Sequence, residues 1–124
     1  MFPGQGRVTT AHQNLNFVDS SQSVTMSAGQ TESAVLELQG SNSICGISIP
    51  GNFQGSYIRF QADFGDGLTD LVNPDGTYIT AIVQPLQVVI FPLLTMLPVQ
   101  KFVIITDVAQ VADGEFRVIT RYAV

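Results

Sequence analysis

Three sets of residues in this 124-residue chain could do chemistry: one histidine (His12), one cysteine (Cys45), and the aspartates Asp63, Asp66 and Asp70 on the glycine-rich stretch DFGDGLTD. A histidine-driven nucleophile needs a histidine beside it and an acid to orient that histidine. His12 lies in a segment without strand or helix periodicity, and Cys45 lies in the apolar run ICGISIP, where a free thiol is ordinarily buried. One cysteine excludes an intrachain disulfide, and one cysteine with one histidine cannot supply an ordinary zinc site. The aspartates allow two readings. Carboxylates on a glycine-rich loop could gather around calcium, although the twelve-residue EF-hand pattern is missing. Alternatively, Asp66-Gly67 is a hairpin turn whose Asp side chain caps backbone amides. The pair recurs at Asp75-Gly76 and Asp113-Gly114, so we carry the turn reading forward. We expect no enzyme: no catalytic residue, no metal and no cofactor.

The elements that would position these residues read as strands. Val, Ile and Thr make up 34 of the 124 residues, in short runs cut by Gly, Asp, Asn and Pro. Val24, Met26 and Ala28 alternate with small polar residues up to Gly29. Ala34, Leu36 and Leu38 form one apolar face; Cys45, Ile47 and Ile49 form the next. Ile58, Phe60 and Ala62 follow, then a short edge strand at Leu71 and Val72 before the NPDG turn (Asn73 to Gly76). TYITAIV, QVVIF and the nearly all-apolar KFVIIT come next, the last suited to the middle of a sheet. The intervening PLLTMLPV reads as a short crossover with one helical turn, limited by Pro98. The final strand, EFRVITRYAV, sets Phe116, Val118, Thr120 and Tyr122 on one face. Seven to nine short strands and no long amphipathic helix predict an all-β fold, an antiparallel β-sandwich of jelly-roll-like or Greek-key type. We place it at residues 18–124. Residues 1–17 form a separate N-terminal segment, either a loosely attached tail or an arm that orders against a neighbouring subunit.

Charge narrows the partners. The net charge is −5 with 12% charged residues. Such a surface has no electrostatic footprint for a phosphate backbone or an anionic membrane, so neither nucleic acid nor membrane is expected as a partner. No apolar run reaches the roughly 20 residues needed to span a bilayer. The N-terminus lacks the apolar core of a signal peptide, which points to synthesis in a cytoplasm. Phe2, Phe53 and Phe64 sit in polar or glycine-rich surroundings, either as exposed contact anchors or packed back on the core. Aromatic residues on a small sandwich also admit a carbohydrate-binding module, with Phe53, Phe64, Tyr57 and Tyr78 as candidate platforms.

Two stretches, ICGISIPGNFQGSYIRFQADFGDG (Ile44 to Gly67) and IVQPLQVVIFPLLTMLPVQKFVIITDVAQVADGEFRVITRYAV (Ile82 to Val124), resemble small structural proteins of tailed-bacteriophage virions. The resemblance covers roughly the last 80 residues. It implies a decoration or cement protein that binds the outer surface of the capsid and stabilises the shell after synthesis in the host cytoplasm. Its partners would be the major capsid protein and copies of itself, as a trimer or dimer. A head–tail junction, tail or baseplate component is the alternative. On this resemblance Met1 to Phe17 would be a reaching arm and Asn52, Phe53 and Gln54 a contact loop; together with the aromatic anchors, the expected partner-binding residues are Phe2, Arg7, Asn52, Phe53, Gln54 and Phe64.

Overall fold

The strand β4 (Tyr57–Asp63) shows the rule that builds the molecule: its residues alternate between buried and half-buried, with Ile58, Phe60 and Ala62 inward. Strands of this kind have one face to hide, and two sheets hide their faces against each other. In the computed structural model, which describes residues 17–40, 42–92, 96 and 98–123, nine strands do this. They are β1 (Phe17–Met26), β2 (Leu36–Glu37), β3 (Ser43–Ser48), β4, β5 (Leu68–Asp70), β6 (Thr80–Ile82), β7 (Val88–Ile90), β8 (Lys101–Thr106) and β9 (Gly114–Ala123).

One sheet has the order β1-β9-β3-β7; the other has β2-β8-β4-β5, with β6 also paired to β4. β5 and β6 pair with opposite ends of the same edge of β4, through Gln61–Asp63 and Tyr57–Arg59 respectively. Taken as one interrupted strand, they reduce the count to eight, and the two sheets interleave as in a jelly roll. The all-β sandwich predicted from the sequence is therefore the observed fold. Between the sheets, Phe116 packs edge-on to Phe53 at 5.8 Å, and Phe60 packs edge-on to Phe91 and Phe102 at 5.7 and 6.3 Å.

Several local expectations change. Cys45 is not on the inward face. The β3–β9 register slips between Ile44 and Gly46, so Cys45 is the extra residue of a β-bulge. Ile44 and Ile47 are thereby both buried, whereas Cys45 is half-buried with its thiol donating to the Ile119 carbonyl at 3.4 Å. Ala34 is exposed. Ser33 turns inward instead, where its hydroxyl accepts from the Ile104 amide (2.9 Å) and donates to the Ala34 carbonyl (2.8 Å). The edge strand falls at Leu68–Asp70 rather than at Leu71 and Val72; Val72 makes only an isolated bridge to Tyr78. Phe17, assigned to the N-terminal segment, begins β1 opposite Ala123. The rest of that segment, most of the predicted helical turn (Leu93 to Thr95 and Leu97), and the Tyr122 side chain lie outside the described residues.

Candidate functional site

At one end of the sandwich three loops are tied together by a buried glutamine. Gln110 accepts from the Gln54 amide (3.0 Å) and donates to the carbonyls of Gln54 (2.7 Å) and Val108 (2.9 Å). Its backbone bonds to Gly29 and Gln30, which brings in the loop after β1. Asp107 closes the other side, accepting from the Ser56 amide (3.0 Å) and hydroxyl (2.8 Å). Those bonds from Ser56, aided by Thr106, hold the Asp107 carboxyl below the usual carboxylate range. Asn52 donates to the Asp113 carbonyl at 2.8 Å. The loop from residue 50 to 56 is thus fixed at both ends, and it presents Asn52 and Gln54 to solvent.

Beside this loop runs an exposed apolar series. Ile82, Leu86 and Ile90 are 82%, 83% and 70% exposed, and Val88 is also exposed. They follow one another where the chain leaves β6 in one sheet and enters β7 in the other. Leu86 reaches back to the loop: a Cβ on Gly51 would sit 3.2 Å from its Cδ2. Its backbone is unusual as well. Gln84 to Gln87 form a turn closed by the Gln87 amide on the Gln84 carbonyl, with Leu86 at φ 66°. Proline second and a positive φ third define a type II turn, whose third position favours glycine or asparagine. A leucine there carries strain, and this one projects into solvent. Sequence reasoning did not single out Leu86. The QPLQ stretch holds the signal, since a Pro-led turn with a bulky apolar residue third is locally inconsistent.

The residues expected to bind a partner are not brought together. Asn52 and Gln54 share the tied loop. Phe53 between them is buried and packs on Phe116, so its expected role as an exposed anchor is corrected: the loop's bonds turn Asn52 and Gln54 outward and the ring inward. Phe64 is exposed but lies beyond the far end of β4, about 20 Å away along a seven-residue strand. Phe2 and Arg7 lie outside the described residues.

The aspartates are committed locally. Asp63, not Asp66, caps the turn, accepting from the amides of Gly65 (2.7 Å) and Gly67 (3.2 Å), and these bonds lower its pKa. Asp70 accepts from Arg59 (2.6 Å) and Gln61 (2.9 Å). Among the described residues no three acidic, histidine or cysteine side chains gather to hold a metal ion. One ring face of Tyr78, a candidate sugar platform, is covered by the Arg59 guanidinium at 4.6 Å.

The molecule so described is a jelly-roll sandwich whose most distinctive surface is an uncharged apolar edge beside a rigid loop. No family model matches the chain. No curated protein matches it either. Among solved structures it is similar to a chain from work titled "Bacillus endospore appendages form a novel family of disulfide-linked pili". The two share 17% identity over 90% of this chain and 91% of the other, with a TM-score of 0.45.

Proposed function

We propose that this chain is a virion structural protein of a tailed phage that attaches to the outer surface of the capsid and reinforces it as a decoration or cement protein. The observation that carries the reading is the exposed series Ile82, Leu86, Val88 and Ile90. It opens the second of the two stretches that resemble phage structural proteins, and it borders the loop of Asn52 and Gln54. Exposed apolar groups on a rigid scaffold suit docking, because little conformational freedom is lost on contact. Repetition over a lattice then multiplies modest contacts into firm attachment.

The test uses full-length protein and purified capsids that lack it. Co-sedimentation should saturate at a fixed ratio to the major capsid protein, and the decorated shells should break at a higher temperature. Absence of binding would defeat the proposal. A copy number matching a single ring on the particle would instead favour the head–tail junction, tail or baseplate reading.

A further inference from the structure

We propose that β7 is a self-association edge, through which two copies of this chain pair antiparallel about a two-fold axis with Leu86 as the apolar anchor on each side. This goes beyond capsid attachment and uses part of the same apolar series: pairing at β7 would cover Leu86, Val88 and Ile90 and leave Ile82 with the loop of Asn52 and Gln54 to face a capsid.

The backbone of β7 is half used. Val89 lies opposite Ile47 in the ladder with β3, the Phe91 amide donates to the Cys45 carbonyl, and the Ile49 amide donates to the Gln87 carbonyl. The bonds to β3 therefore run through the odd-numbered residues. Val88 and Ile90 turn their own N–H and C=O groups toward the free edge, beyond which no strand lies among the described residues. Exposed strand edges invite pairing with another chain unless charge, proline or cover blunts them. The edges at β1, β2 and β5 are blunted. The Gln22 side chain bonds β1 to Glu37 and Gln39 across the sheets, and the Ala34 amide bonds to the Thr25 carbonyl. β2 has two residues, one of them Glu37, and β5 carries Asp70. β7 carries no charge and no bond across the sheets: its three side chains are Val, Val and Ile.

Charge selects a second copy as the occupant. The chain carries −5 overall, yet no charged residue occurs between Asp75 and Lys101. Two identical acidic molecules repel least where neither presents charge, and a two-fold contact sets a surface against itself. The edge is also self-complementary. With Val89 opposite the partner's Val89, Val88 exchanges both backbone bonds with the partner's Ile90, and Ile90 does the same with the partner's Val88. Val88 and Ile90 point to the outer face of the sheet and meet as cross-strand pairs. Pro92, at the next outward position, has no N–H to leave stranded. The strained turn then has a purpose: it holds Leu86 out at the end of the paired strand.

Sedimentation velocity on the full chain over a concentration series, with Leu86→Gly and Ile90→Lys beside it, tests this. The parent should move from monomer to dimer as concentration rises, and each variant should weaken the dimer by about tenfold or more. Glycine fits the positive φ, so Leu86→Gly should unfold no more easily than the parent at dilutions where both are monomers. Amide exchange at Val88 and Ile90 should slow in the dimer. A parent that is monomeric at every concentration would overturn the proposal. So would a trimer, an open-ended series of species, or a dimer indifferent to both substitutions. Capsid attachment is decided separately, by the co-sedimentation experiment.

Discussion

Thr120 lies on the inward face of β9 with its hydroxyl enclosed, and among the described residues its Oγ1 meets no hydrogen-bond partner. An enclosed hydroxyl without a partner has given up its hydration for nothing. Thr120→Val keeps the shape and removes the oxygen, so it should raise the unfolding free energy by about 1 kcal/mol in urea titrations. The aspartates make a second prediction at this scale. Asp19, Asp63, Asp70, Asp75 and Asp107 all have lowered pKa values, each chiefly through hydrogen bonds that the carboxylate accepts. A carboxylate depressed in the folded state adds stability above its unfolded pKa of about 4, and that contribution is lost as pH falls through the folded value. Melting temperatures should hold from neutrality to about pH 5 and fall below about pH 4; a rise there would contradict the assignment. Residue type was a good guide to some of these roles and a poor one to others. Aspartate beside glycine was legible as turn chemistry, but which carboxylate caps the turn depends on loop conformation, so Asp63 took the role expected of Asp66. Phe53 in a glycine-rich loop fits an exposed or a packed ring equally well until the loop is tied down.

The strands were legible wherever alternation decides burial, as in β4 and β9, or where an apolar run marks a strand buried on both faces, as in β8. They were misread where one residue breaks the count. The bulge at Cys45 shifts the register, so Ile44 joins Ile47 inside; period-two reasoning has no way to see it. At Ser33 the inward side chain is polar because it serves the Ile104 amide, and a pattern of apolar residues passes over it. The loop before β4 carries the prediction at this scale. Gly55 has φ 131°, and a Cβ there would lie 2.8 Å from Asp107 Oδ1 and closer still to Thr106 Oγ1. Gly55→Ala should therefore cost about 2 kcal/mol or more. It should also raise amide exchange at Gln54 and Ser56, whose bonds to Gln110 and Asp107 would be pushed apart. Unchanged exchange at both amides would show that the loop is not tied as described.

For the whole molecule, composition foretold two packed sheets, whereas their connectivity rests on contacts between residues far apart in the chain. β1 finds its partner in β9, with Phe17 opposite Ala123; β2 finds its partner in β8. No local pattern records such pairings. They also set the order in which the protein can come into being. As the chain leaves the ribosome, β1 and β3 emerge with apolar faces and lack their shared neighbour until residues 114–123 have been made. The sandwich can close only late, at the slow pace typical of non-local β topologies. Until it closes, unpaired strands are open to the wrong neighbours, and crowding of many nascent copies makes that interval the most hazardous in the life of the protein.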